Sequence, residues 1–188
     1  MRNNRVLTGA AIAVLALLMG AYLASPFFAL SALAQGIRDD NRDEIAAEVD
    51  FPAVRASLKD QVDGYLEGRA SDDRDLSQNP FGNVLLTLVP KIVDTVVDRI
   101  VTPDGIAFLL AQPLNVHRPH TEESDRGGAY SRSFVFTGID DFRVRLTNRK
   151  DPTIVFGLVF ERHGFSWRLA RLELPIGELA RRVSGNPS

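Results

Sequence analysis

The sequence predicts an α+β domain on an N-terminal membrane helix, with several helices packed on a curved four-stranded antiparallel meander. Three observations carry this: an uncharged apolar run from Val6 to Leu23, apolar residues at spacings of three and four as far as Gln112, and alternation of period two from Phe134 onward. The chain has 188 residues, of which 45% are hydrophobic and 24% charged, enough for one packed domain after the apolar run is set aside. Residues 1–24 are accordingly read as a transmembrane anchor or signal segment, and residues 25–188 as a single extracytoplasmic α+β domain.

Arg2 and Arg5 precede the apolar run and no charge follows until Arg38. A helix needs roughly 20 apolar residues to cross a hydrocarbon core of about 30 Å, and Val6 to Phe28 supplies them. Basic residues before it, and Asp39, Asp40, Asp43 and Glu44 after it, predict a single pass through a bacterial inner membrane, N-terminus cytoplasmic and domain periplasmic. Tyr22, Phe27 and Phe28 suit the far interface. The alternative is secretion after cleavage near Ala34, where Ala32-Leu33-Ala34 has the small-x-small form. A buried core helix, the third reading, would show a polar stripe, and Val6 to Leu23 has none.

After Pro26, a helix is predicted on Phe27, Leu30, Leu33, Ala34 and Ile37, and a short one over about Arg42–Val49. Asp50 caps a third, with Pro52 in its first turn and Phe51, Val54, Leu58, Val62 and Tyr65 on one face; Gly64 and Gly68 weaken its end. Glu67–Gln78 reads as an exposed loop. Asn79-Pro80 starts a long amphipathic pattern reaching Val101, with a kink or break expected at Pro90. Thr102-Pro103-Asp104 caps another helix, and Pro113–Gly128 is a long connection.

Strands follow on Phe134 and Phe136, on Phe142, Val144 and Leu146, on the nearly continuous apolar run Thr153–Glu161, and on Phe165–Leu174 after the turn at His163-Gly164. The third reads as a central strand covered on both faces. Ile176–Val183 closes the chain as a short helix. This order of elements resembles the cone of the nuclear-transport-factor-2 superfamily.

Two stretches carry a further resemblance. Ala29–Asp40 followed by Val49-Asp50-Phe51-Pro52-Ala53-Val54-Arg55-Ala56-Ser57-Leu58-Lys59, and Phe160-Glu161-Arg162-His163-Gly164-Phe165-Ser166-Trp167-Arg168-Leu169 with the closing Leu174-Pro175, resemble the bacterial family of domains of unknown function DUF2939. Arg38-Asp39-Asp40-Asn41 departs from the Gly-Asp expected in the first turn. The resemblance implies a membrane-linked bacterial domain and brings no catalytic residues with it.

The absence of cysteine excludes disulfides, thiolate metal sites and cysteine nucleophiles, and a net charge of −2 disfavours nucleic acid as a partner. His117, His120 and Glu122 are metal-ligand types, but a Pro-containing loop with an Arg between the histidines does not set a coordination geometry, so no metal, cofactor or catalytic residue is assigned. His163 reads as turn chemistry, Asp50 as a cap rather than the partner of Arg55, and Asp94 and Asp98 as a solvated helix face beside Lys91 and Arg99. Residues 36–125 hold 9 basic and 18 acidic side chains, residues 126–188 hold 11 and 6. Arg143, Arg145 and Arg168, at alternating strand positions, therefore form a candidate basic face for an anionic partner or lipid headgroup. Function is unknown from the sequence. The favoured reading is a noncatalytic binding or interaction module, taking an envelope protein or a small apolar ligand between sheet and helices. There Phe134, Phe136, Phe142 and Phe156 either line a pocket or fill the core. The alternative is an unrecognised envelope hydrolase.

Overall fold

The computed structural model describes residues 2–72, 93–114 and 129–178. Helix α1 (Arg2–Arg38) is followed by α2 (Arg42–Glu48), α3 (Phe51–Asp72), a helical stretch over residues 93–100 and α4 (Pro103–Ala111). Strands β1 (Tyr130–Phe136), β2 (Asp141–Asn148), β3 (Val155–His163) and β4 (Ser166–Glu173) form one antiparallel sheet in the order β1-β2-β3-β4. Residues 176–178 begin a further helical turn. The α+β class and the meander agree with the sequence.

One expectation fails at Pro26. No new helix starts there, because α1 runs through it unbroken. Proline removes the amide that would donate to the carbonyl four residues back, here that of Tyr22. The preceding residue replaces the donor: Ser25 Oγ donates to the Tyr22 carbonyl at 2.7 Å, and the same oxygen accepts from Trp167 Nε1 at 2.7 Å. Pro26 itself is buried, so the helix bridges the defect where it meets the sheet.

The two halves of α1 live in different surroundings. Leu17 is 73% exposed, whereas Leu33 is fully buried. Ala29, Leu30, Leu33 and Ile37 fall on one helical stripe and enter the core with Ile45, Val49, Val54, Leu58, Val97, Ile106 and Leu110 from the other helices. They cover the inner face of the sheet, to which β2 contributes Phe142, Val144 and Leu146, β3 Leu158 and Phe160, and β4 Trp167, Leu169 and Leu172. Phe27, expected at a membrane interface, stays 38% exposed while its ring lies 4.9 Å from that of Phe142 and 5.2 Å from that of Phe134. Phe136 lies 5.0 Å from Phe142, and Phe156 packs on Tyr130 at 5.8 Å. The four candidate pocket phenylalanines thus stack on one another or on other core rings, although β1 stays at the margin and leaves Phe134 46% exposed.

Helix α1 ends with Asp40 at φ 54 and Asn41 N donating to the Gly36 carbonyl at 2.8 Å, the geometry usually given to glycine. Asn41 then caps α2 by accepting from Glu44 N. Asp50 caps α3 as expected, accepting from Ala53 N at 3.1 Å. The loop expected from Glu67 is helical as far as Asp72, where α3 ends. Glycine costs about 1 kcal/mol inside a helix, which an established helix tolerates. The remainder of that loop, the pattern from Asn79 as far as residue 92 with its kink at Pro90, most of the Pro113–Gly128 connection and the end of the Ile176–Val183 helix lie outside the described residues.

The outer edge of β4 is closed by the helical layer. Val49 makes a parallel bridge to Leu169, and Asp50 N donates to the Leu169 carbonyl at 2.9 Å. Gln61 on α3 then stands in for a strand residue: its amide donates to the Leu172 carbonyl at 2.8 Å and its carbonyl accepts from Leu174 N at 3.0 Å. Bare strand edges invite pairing with other chains, and this one is occupied.

Because Trp167 is the sole tryptophan and is 2% exposed, Ser25→Ala has a direct optical readout. It leaves a buried indole N–H and the Tyr22 carbonyl unpaired, so we expect a loss of about 1–3 kcal/mol, seen as a lower thermal midpoint and red-shifted tryptophan emission in detergent micelles. An unchanged midpoint would show that the relay contributes nothing.

Candidate functional site

The strand register resolves what the candidate basic face is. Asp141 on β2 pairs with Glu161 on β3, which pairs with Arg168 on β4; Arg143, Val159 and Arg171 form the next row, and Arg145, Gly157 and Glu173 the third. A β-bulge between Val159 and Phe160 inserts Ala170, keeping Leu169 and Leu172 on the inner face and Arg171 on the outer one. Acidic and basic residues therefore interleave across one surface.

These charges are largely spent on each other. Arg143 Nη2 is 3.0 Å from Glu173 Oε1, and Arg171 reaches Glu161 at 3.1 Å and Asp141 at 3.3 Å. Val159, flanked by Arg143 and Arg171, is fully buried by this lattice. The expectation that β3 is covered on both faces holds at its centre, but the second cover is a layer of long charged side chains whose aliphatic stems exclude water. Arg145 and Arg168 are exposed at opposite ends of the face. Arg168 also approaches α2, where its charge partly offsets the pressure on Glu48, whose carboxyl is held above its ordinary range by burial and by Glu44.

Gly157 makes the Arg143–Glu173 pair possible. A Cβ there would lie 2.2 Å from Glu173 Oε2, which crosses above the glycine to reach β2. Beside the lattice, an open cleft of about 520 Å³ runs between α3 and the β3–β4 edge, with Ser57, Asp60, Glu161, Arg171 and Glu173 on its walls. Glu161 and Glu173 are the carboxylates already engaged by Arg171 and Arg143.

The remaining candidates separate in space. His117, His120 and Glu122 lie outside the described residues. His163 ends β3, with Nε2 3.7 Å from Asp50 Oδ2, so the helix cap has an imidazole neighbour that its place in the sequence did not suggest. Arg55 does not pair with Asp50; it donates to the Val101 carbonyl at 2.8 Å and lies 3.8 Å from Asp98. Asp94 and Asp98 are not a free carboxylate pair, since Lys59 Nζ on α3 sits 3.0 Å from one and 3.3 Å from the other, and these hydrogen bonds raise the Lys59 pKa. Among the described residues, no group of three or more His, Asp or Glu side chains is placed to hold a metal ion.

Two predictions follow from this surface. Gly157→Ala displaces Glu173 and costs about 1–3 kcal/mol in denaturant unfolding, as overpacking does; in a Glu173→Ala background most of that cost disappears, whereas equal costs in both backgrounds would place the strain elsewhere. For Glu48, the raised pKa means that the folded state holds the proton more tightly than the unfolded state. Its contribution is fully present below the unfolded pKa and is lost as pH rises through the folded one. Glu48→Gln should therefore raise the melting temperature at neutral pH, with the advantage shrinking as pH falls through the glutamate range. A pH-independent difference would contradict this.

Comparison with known proteins adds one finding. A protein-family model described as a protein of unknown function (DUF2939) matches residues 15–109. No curated protein and no solved structure matches the chain.

Proposed function

Given that this chain belongs to the DUF2939 family of proteins of unknown function, we propose from its own geometry that it is a membrane-anchored, noncatalytic interaction module. The domain stands on the periplasmic side of a bacterial inner membrane. The observation that carries the reading is the division of α1 into an exposed apolar half and a buried half. Its apolar length is sufficient to cross a membrane, and residues such as Leu15, Leu17 and Leu18 are more than 60% exposed (64%, 73% and 63%), which water would penalise and lipid would not. The arginines before the helix and the acidic cluster after it support a cytoplasmic N-terminus.

The same helix argues against secretion by cleavage near Ala34. Such a cut would remove Leu30 and Leu33, 9% and 0% exposed, from the middle of the core. Burying a leucine is worth about 1.5–3 kcal/mol, and vacating its site adds a cavity cost. We read the segment as a retained signal-anchor. The bulge in β4 and the helix laid across the inner face support a curved, cone-like sheet of the nuclear-transport-factor-2 kind.

Binding then falls to the outer surfaces, because α1 and the aromatic rings occupy the inner face where a small apolar ligand would sit. An envelope protein is the partner class this favours. The pairing of Glu161 and Glu173 with arginines supports a recognition role over hydrolysis. A general base needs a carboxylate free to accept a proton and a general acid one free to donate, and both of these are taken up in ion pairs.

The absence of cysteine allows a clean test of placement. With Asn3→Cys and Arg149→Cys introduced singly, a membrane-impermeant maleimide should label position 149 in intact spheroplasts and position 3 only after lysis, with the full-length chain resisting alkaline extraction from membranes. A shortened or extractable chain, or the opposite labelling, would overturn the reading.

A further inference from the structure

Two hairpin tips lie at the end of the sheet where α1 leaves the domain. In an antiparallel meander the β1–β2 and β3–β4 turns share one end, and a hydrogen bond from Arg162 N to the Asp140 carbonyl, 2.9 Å, holds them together. Tyr22 marks the level at which the helix passes them: its hydroxyl donates to the Ile139 carbonyl, and the Arg162 guanidinium lies 4.4 Å over its ring. Each tip ends in an apolar side chain that the fold does not use. Ile139 is 77% exposed and Phe165 is 98% exposed. The β3–β4 turn has two residues with Gly164 at φ 66, and its second position takes a polar residue without strain, so Phe165 answers no demand of the turn.

From these contacts we infer that Ile139 and Phe165 insert into the interfacial layer of the bilayer, making the two hairpin tips additional membrane contacts that fix the domain's orientation. The inference rests on the reading of α1 as membrane-spanning. Tyr22 is a residue type enriched at the membrane–water boundary, and the tips are bonded to it at its own depth. Met19 and Leu18 lie one turn further along the helix, about 5 Å deeper. Isolated exposed apolar residues are common on soluble surfaces. These two differ in that both stand at the one end of the sheet that faces the apolar helix. Their turns bring Asp140, with His163 and Asp141 at the adjoining strand ends, and Arg171 engages Asp141, so little unpaired charge opposes approach to an anionic lipid surface. Three contacts that are not collinear, the helix and two tips, would hold the charged outer face of the sheet at a set angle to the membrane.

The test uses the full chain in phosphatidylethanolamine–phosphatidylglycerol vesicles, with single cysteines at Leu17→Cys, Ile139→Cys, Phe165→Cys and Lys150→Cys, each carrying a nitrobenzoxadiazole label. Lys150 lies in the β2–β3 turn, roughly 25 Å away at the far end of the strands. Buried Trp167 emission in each variant verifies the fold. The expected result is several-fold stronger quenching by doxyl-labelled lipid at 139 and 165 than at 150, with the reverse order for iodide. Lipid quenching at 17 together with iodide access at 139 and 165 overturns the inference and leaves the anchor reading intact. Loss of lipid quenching at 17 overturns both. Protection of 139 and 165 from both quenchers, as contact with a protein would give, also overturns it.

Discussion

The Ser25 hydroxyl is the joint on which this architecture turns. It donates to the carbonyl that Pro26 leaves without an amide and accepts from the indole of Trp167, so one oxygen keeps α1 continuous and fastens it to β4. Without the first bond the helix would be free to kink where it leaves the sheet. Without the second, a buried indole N–H would lack its partner. Tyr22 and Arg162 extend the joint by one turn, tying the helix to both hairpin tips. A helix fastened this way is an integral part of the domain, so a force or tilt imposed on its exposed half would be delivered directly to the sheet.

The outer face of the sheet obeys a different economy. Its four arginines and three carboxylates alternate so that Arg143 and Arg171 reach partners on other strands while their stems cover Val159. Half-exposed ion pairs of this kind contribute little individually to stability. Their larger effect is to cover β3 without a second layer of helices, leaving a surface rich in charge but nearly balanced in sign, with Arg145 and Arg168 at its two ends.

Much of this was legible in the residues. Spacings of three and four placed α2, α3 and α4, capping side chains at Asp50 and Thr102 marked the starts of α3 and α4, and period-two alternation gave the four strands in order. What the sequence hid depended on register or on a hydrogen bond between distant elements. The candidate basic face of Arg143, Arg145 and Arg168 gave no sign of the Arg143 ion pair, because Glu173, thirty positions away, is brought across Gly157 only by the pairing of three strands. Gln61 gave no sign that it would complete the edge of β4. The separate helix read after Pro26 had a local signal against it, since a serine before a proline can bond back to the carbonyl three residues earlier.

The central claim is that residues 27–37 of α1 belong to the same cooperative unit as the sheet. Amide hydrogen exchange on the full-length protein in bilayer nanodiscs tests this most directly, because the slowest amides report global unfolding. The account predicts that residues 27–37 exchange as slowly as β2 and β3 and by the same opening event. Exchange of residues 27–37 well ahead of the strands, with the sheet still protected, would show that the helix is merely a tether and would contradict it.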